Sequence, residues 1–116
     1  MRNAVTRYAL SGEARIAYQA VGHGSLDLVL VPGFPSNLEI LWEDPDYSRL
    51  VKRLSAFARL ILVEPRGAGL SDGLDPRAQP VARARAEDVR AVMDAAGCGR
   101  AALFGASDGA AQALAF

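Results

Sequence analysis

Residues 101–109, AALFGASDG, place a short apolar strand directly before a glycine-flanked serine and the start of a helix. The serine, Ser107, lies between Gly105 and Gly109, which gives the pattern G-x-S-x-G. Small residues in this pattern let a strand and a helix approach closely, and the serine takes a strained turn that exposes its hydroxyl. The amide of Asp108 then points to where an oxyanion would form. The stretch predicts a nucleophilic serine; the alternative is a glycine-rich turn with a structural serine.

The chain before this turn alternates between strand and helix patterns. Two short β-leaning runs around a glycine turn predict a hairpin, and two nearly continuous apolar runs predict strands buried on both faces. Together with the strand before the serine, the predicted strands cover residues 6–10, 14–21, 26–31, 59–63 and 101–104.

Two predicted helices separate the later strands. The first begins at Asp44 and Pro45, a capping residue followed by proline, and its apolar residues at helical spacing are Tyr47, Leu50, Val51, Leu54 and Phe57. The second ends before Gly97, and its apolar residues are Ala82, Ala86, Val89, Met93 and Ala96. This order predicts an α/β fold, in which a β-hairpin is followed by a mostly parallel sheet with helices on both faces.

Three loops follow strands of the predicted parallel sheet: residues 32–34, 64–71 and 105–109. Ligands of such sheets bind beyond the carboxyl ends of the strands, so the three loops should share one edge. In acyl-transfer sites a second oxyanion donor comes from the loop after the third strand, which makes the Phe34 amide the candidate. By itself Pro32-Gly33-Phe34 would be a plain turn, and its pairing with Ser107 favours the functional interpretation.

Residues 64–71, EPRGAGLS, resemble a phosphate-binding loop only superficially. The dinucleotide fingerprint needs a glycine where this chain has Asp72, and no Gly-Lys-Ser/Thr follows. We therefore predict a tight turn in which Arg66 fixes neighbouring loops through hydrogen bonds.

Composition excludes several other classes of protein. The chain has 116 residues, 51% of them hydrophobic, and no net charge, which is unlike a disordered tail or a basic nucleic-acid binder. A single cysteine, Cys98, cannot form an internal disulfide, and a single histidine, His23, cannot build a Cys/His metal site. No membrane span or secretory signal is visible. We expect no cofactor, metal, nucleic acid or membrane partner, and a cytoplasmic location.

Taken in order, these segments resemble the α/β-hydrolase fold superfamily, and most of all the esterase-like hydrolase modules often joined to class III adenylate cyclase domains. The matching segments are residues 17–22, 30–34, 62–71, 88–94 and 102–109, and the resemblance covers the whole chain. Glu64 occupies the position of an aspartate in the family's D-x-R-G-x-G-x-S turn. The resemblance implies that Ser107 is the nucleophile and that the Phe34 and Asp108 amides form the oxyanion hole, with a small ester or related acyl compound as substrate.

A serine nucleophile needs a base and an orienting carboxylate, which in this fold follow the serine in the order acid, then histidine. No acidic residue or histidine follows Gly109. We predict that His23 is an exposed turn residue at the opposite edge of the sheet, and that Cys98 is a structural or exposed thiol. Residues 1–116 would then be a single partial α/β-hydrolase domain, truncated after the helix of the serine turn begins.

Two classes of function therefore stay open, and whether the chain is an enzyme depends on them. The first is the N-terminal segment of a serine hydrolase whose catalytic acid and histidine are absent from this chain. The alternative is a non-catalytic, hydrolase-derived module that binds a partner or regulates an attached domain; a weaker third interpretation is a small-ligand binding module. In the family's strand order the fifth strand lies beside the third, so here it would be an edge through which two copies could associate.

Overall fold

The structure is a computed structural model that describes residues 4–31, 37–73, 81–106, 113–114 and 116. Its elements, in chain order, are β1 (Arg7–Ser11), β2 (Ala14–Val21), β3 (Leu26–Val31), a short 3₁₀ helix (Ile40–Glu43), α1 (Pro45–Ser55), β4 (Ala58–Val63), α2 (Val81–Ala95) and β5 (Ala102–Gly105). The predicted last helix begins at Ser107, which lies outside the described residues.

The five strands form one sheet in the order β1-β2-β4-β3-β5. β1 and β2 are the predicted hairpin, β2 pairs antiparallel with β4, and β3 pairs in parallel with both β4 and β5. The predicted α/β class is confirmed, as is the position of the fifth strand beside the third. Because the three parallel strands point the same way, they end at one edge, called here the carboxyl rim and marked by Val31, Val63 and Gly105.

The two faces of the sheet are covered by different helices. Side chains alternate between the faces along each strand, so each strand contributes to two separate clusters. The first cluster packs against α2 and includes Ile16, Tyr18, Val29, Ile61, Val63, Val89, Val92 and Met93. The second packs against α1 and includes Ala17, Val21, Leu38, Val51, Leu60 and Leu62.

The helix ends follow the sequence signals closely. The Asp44 side chain accepts a hydrogen bond from the Asp46 amide (2.9 Å) and Pro45 occupies the first turn of α1. After α2, the Cys98 amide donates to the carbonyl of Met93 (2.8 Å), while Gly97 has φ +70°. This is the Schellman arrangement, which needs a residue in the left-handed region.

The predicted apolar stripe of the first helix is only partly correct. Because α1 ends at Ser55, Phe57 lies beyond the helix and is exposed. Leu50 is also largely exposed, and Val51 is the residue of the helix that is buried in the core.

Candidate active site

The strands that lead to Ser107 and to Phe34 are direct neighbours in the sheet. Val31, the last residue of β3, pairs with Gly105, the last residue of β5. Beyond this pair, the Ala106 amide donates to the Val31 carbonyl (3.1 Å). Ser107, Asp108 and Phe34 themselves lie outside the described residues. Their mutual geometry therefore stays a prediction, but the residues that immediately precede the serine and the candidate oxyanion loop are side by side at the carboxyl rim.

The loop after β4 is a closed turn. The Gly67 amide donates to the Asp72 carbonyl (2.7 Å), the Ala68 amide to Pro65 (3.0 Å) and the Ser71 amide to Ala68 (3.0 Å). A phosphate loop needs such amides to be directed at its ligand. Here the turn uses them for its own hydrogen bonds, which agrees with the predicted tight turn.

Arg66 fixes this turn through hydrogen bonds, as predicted, but its main partner lies in helix α2 rather than in a neighbouring loop. Its Nε and Nη2 atoms donate to the Asp88 carboxylate at 2.9 and 2.6 Å, and Nη2 also lies 3.4 Å from the Ser11 carbonyl oxygen. The Arg85 side chain donates to the Arg66 carbonyl oxygen (3.0 Å). The hydrogen-bonded Asp88 carboxylate raises the pKa of Arg66 above its ordinary value. The turn, β1 and α2 are thereby held together behind the carboxyl rim.

Sequence reasoning missed Asp88 as the partner of Arg66. A signal was present, because Asp88 lies four residues after Ala84 and four before Val92, both of which are buried. This spacing places the carboxylate on the buried stripe of the helix, where a charged group requires a partner.

Glu64, the first residue after β4, is also buried, with none of its surface exposed. Its Oε2 atom accepts a hydrogen bond from the Leu38 amide (2.8 Å). Burial, together with the negative charge of Glu64, raises the pKa of Tyr47 to about 12. A buried carboxylate therefore joins the end of β4 to the chain that follows residues 32–36, and the sequence analysis gave Glu64 no role beyond its place in the turn.

Three solved structures show what the chain is similar to. A proposed epoxide hydrolase from Pseudomonas aeruginosa matches 93% of this chain and 34% of its own length, with 27% identity and a TM-score of 0.74. An N-acyl homoserine lactone degrading enzyme matches 94% of this chain and 39% of its own, with 25% identity and a TM-score of 0.71. An epoxide hydrolase from Vigna radiata matches 94% of this chain and 33% of its own, with 19% identity and a TM-score of 0.75. These similarities relate the chain to the α/β-hydrolase superfamily.

The similarity is one of structure, since no family model and no curated protein sequence matches the chain. The chain spans about a third of the length of the α/β-hydrolase structures cited above, 33% to 39% of each. None of the three concerns an adenylate cyclase, so that part of the resemblance stays a prediction.

Relative to this α/β-hydrolase fold, His23 is far from the carboxyl rim. It is exposed in the turn between β2 and β3, at the end of β3 opposite to Val31. The six residues of β3 span about 20 Å at the usual rise of a strand. The prediction of an exposed turn histidine at the opposite edge is confirmed, and His23 is too remote to accept a proton from a group at the rim.

Cys98 is buried, so of the two predicted alternatives, a structural thiol or an exposed thiol, the structure agrees with the structural one. Its Sγ atom lies 3.5 Å from the carbonyl oxygen of Arg100, and burial raises the pKa of the thiol.

Among the described residues, no three His, Cys, Asp or Glu side chains are grouped as a metal site would require. None of the helices within the described ranges is long and apolar enough to cross a membrane; the cytoplasmic location stays a prediction.

A groove of about 900 Å³ opens on the α1 face of the sheet. Buried Gln19 lies at its base, accepts a hydrogen bond from Trp42 Nε1 (2.8 Å) and donates to Thr6 (3.0 Å). The other lining residues are Ala4, Glu39, Trp42, Glu43, Pro45 and Ser48. No predicted site residue is among the described residues that line this groove.

Proposed function

We propose that this chain carries the nucleophile and oxyanion-hole part of a serine hydrolase, which transfers the acyl group of an ester or lactone to Ser107. The observation that carries the proposal is the pairing of β3 with β5 at the carboxyl rim. The hydrogen bond from Ala106 to Val31 brings together the residues that precede Ser107 and the loop of Phe34. The similarity to an enzyme that degrades an N-acyl homoserine lactone supports an acyl substrate.

In the proposed reaction, the Ser107 oxygen attacks the carbonyl carbon of the substrate and a new C–O bond forms. The tetrahedral oxyanion accepts hydrogen bonds from the Phe34 and Asp108 amides, and its collapse breaks the bond to the leaving alkoxide or phenolate. The serine proton must pass to a base. His23 is the one histidine of the 116 residues, so in this chain the proton goes to solvent.

The experiment that tests the proposal is single acylation of the serine. We expect p-nitrophenyl acetate to acetylate Ser107 faster than the exposed Ser25, because oxyanion donors and binding accelerate acyl transfer about 10³-fold even without the rest of a triad. Peptide mass spectrometry measures both sites in one sample, and exposed Lys52 reports the reagent concentration. Unfolding in urea should abolish the preference. Equal acetylation of Ser107 and Ser25 in the folded chain would contradict the proposal.

The alternative function, a non-catalytic module that binds a partner, is favoured by the exposed edge at β5. Among the described residues β5 pairs only with β3, and the Phe104 side chain beside it is 49% exposed. An unpaired strand edge is a template for another strand.

We therefore expect the chain to self-associate through β5, and a charge on this strand to prevent it. Phe104→Lys, at the exposed Phe104 of β5, should shift the sedimentation of the chain from a concentration-dependent dimer towards the monomer in analytical ultracentrifugation. Leu10→Lys, which places the same charge on the exposed Leu10 of β1 at the other end of the sheet, is the matched control. A monodisperse monomer before any substitution would refute association through β5.

A further inference from the structure

A chain of hydrogen-bonded side chains forms the base and one wall of the groove on the α1 face. The Trp42 Nε1 atom donates to Gln19 Oε1 (2.8 Å), and Gln19 Nε2 donates to the Thr6 hydroxyl (3.0 Å). That hydroxyl in turn donates to Glu39 Oε2 (2.9 Å). Gln19 has none of its surface exposed, and a buried amide is stable only when it is hydrogen-bonded. The chain therefore fixes the Trp42 indole and the Glu39 carboxylate at the groove.

The Trp42 indole gives this groove a rigid aromatic wall. The residue is half-buried, and its ring lies at 81° to that of Tyr47, with the two centroids 5.7 Å apart. Its main chain is also held, because the Ser48 hydroxyl donates to the Trp42 carbonyl (2.8 Å). The face of an aromatic ring attracts a cation, and tryptophan does so most strongly.

The groove is also acidic. Residues 37–48 hold four carboxylates and neither lysine nor arginine. Two of these carboxylates are engaged elsewhere, because that of Asp44 caps α1 and that of Asp46 pairs with an arginine one helical turn later (3.6 Å). The other two, on Glu39 and Glu43, line the groove, and neither forms an ion pair within the described part of the chain. The charge of the groove is therefore complementary to a cation.

We propose that this groove binds a small organic ammonium ion, with its charge beside Glu39 and Glu43 and its hydrocarbon part against the Trp42 indole. The volume of about 900 Å³ is within the range of small-molecule sites, about 300–1,000 Å³. An organic cation fits better than a metal ion, because it uses the aromatic wall as well as the two carboxylates.

This site is independent of the proposed acyl transfer. Gln19 belongs to β2, and β4 and β3 separate β2 from β5 in the sheet. Three strand spacings correspond to about 14 Å. Binding in the groove can therefore be tested, and can fail, without any consequence for the role of Ser107.

Fluorescence of Trp42 reports on this groove alone, because Trp42 is the one tryptophan of the 116 residues. Titration with n-butylammonium chloride should change this fluorescence saturably. The midpoint should be millimolar, because so small a ligand makes few contacts. The uncharged n-butanol, and sodium chloride at the same ionic strength, should produce no saturable change. An equal response to n-butanol would overturn the proposal, and so would an equal response to magnesium chloride at the same ionic strength.

Substitutions that remove one charge each locate the site. Glu43→Gln and Glu39→Gln should each weaken the binding of n-butylammonium about fivefold, which is the effect of one unit charge at contact distance in water. Asp46→Asn is the matched control, because it removes the same charge from the same stretch without lining the groove. It should leave the midpoint within about twofold. If Glu39→Gln does not fold, the comparison of Glu43→Gln with Asp46→Asn decides. Equal weakening in all the variants, or in none of them, would overturn the proposal.

Discussion

Asp88→Ala should lower the free energy of unfolding by about 3–5 kcal/mol, which is the usual loss when one partner of a buried ion pair is removed. The Asp88 side chain is 2% exposed and that of Arg66 is 16% exposed, so the guanidinium would be left buried without its bidentate partner. Unfolding in urea, followed by circular dichroism, measures the change.

Two comparisons isolate the cause of this loss. Asp46→Ala removes an exposed ion pair with Arg49 and should cost less than about 0.5 kcal/mol. The double variant Arg66→Met with Asp88→Leu removes the pair without leaving a charge, and should recover much of the stability. A loss in Asp88→Ala no larger than that in Asp46→Ala would show that the pair does not stabilise the turn behind the carboxyl rim.

The strands are the part of the fold that the sequence predicts best. β3 begins at Leu26 and ends at Val31, and β2 runs from Ala14 to Val21, both as predicted. A strand buried on both faces must be apolar throughout and must end where a glycine or proline interrupts it, so its bounds are local properties of the sequence. Gly97 is predictable for a similar reason, because its φ of +70° is accessible to few other residues.

Elements that depend on side chains distant in sequence are harder to predict. The 3₁₀ helix at Ile40–Glu43 was missed because it is too short to show a period. It begins where the Asn37 side chain accepts hydrogen bonds from the amides of Glu39 and Ile40 (2.9 and 3.2 Å). The pair of Arg66 with Asp88 joins residues 22 positions apart. A local pattern can mark either residue as buried, but only the tertiary fold brings the two together.

The candidate site likewise has parts that the sequence predicts and parts that it does not. The order of strands and helices predicted that the three loops share one edge, and the resemblance to α/β-hydrolases implied that β5 lies beside β3. The register of Val31 with Gly105 agrees with the second prediction. The hydrogen bond between the Leu38 amide and the buried Glu64 carboxylate was not predicted, because a main-chain amide is present at almost every residue and gives no signal in the sequence pattern. Ser107, Phe34 and Asp108 lie outside the described residues, so their roles stay predictions.

The 116-residue chain should not turn over an activated ester repeatedly. With excess p-nitrophenyl acetate we expect at most one equivalent of p-nitrophenolate from Ser107, followed by the background rate, because a deacylating water also needs a base. Loss of a serine–histidine pair lowers kcat by about 10⁶-fold in hydrolases that have been dissected. His23, the one histidine, is separated from the rim by the length of β3.

Two variants show whether Ser107 and His23 take part in this reaction. Ser107→Ala should abolish the single equivalent, and His23→Gln should leave it unchanged because His23 is exposed at the other edge of the sheet. If the unsubstituted chain turns over the ester repeatedly and both variants lose this activity, His23 serves as the base and the residues at the rim are arranged differently. Sustained turnover lost only in Ser107→Ala would instead require a base other than histidine, and the carboxylate of Asp108, the neighbour of the nucleophile, would be the first to test by Asp108→Asn.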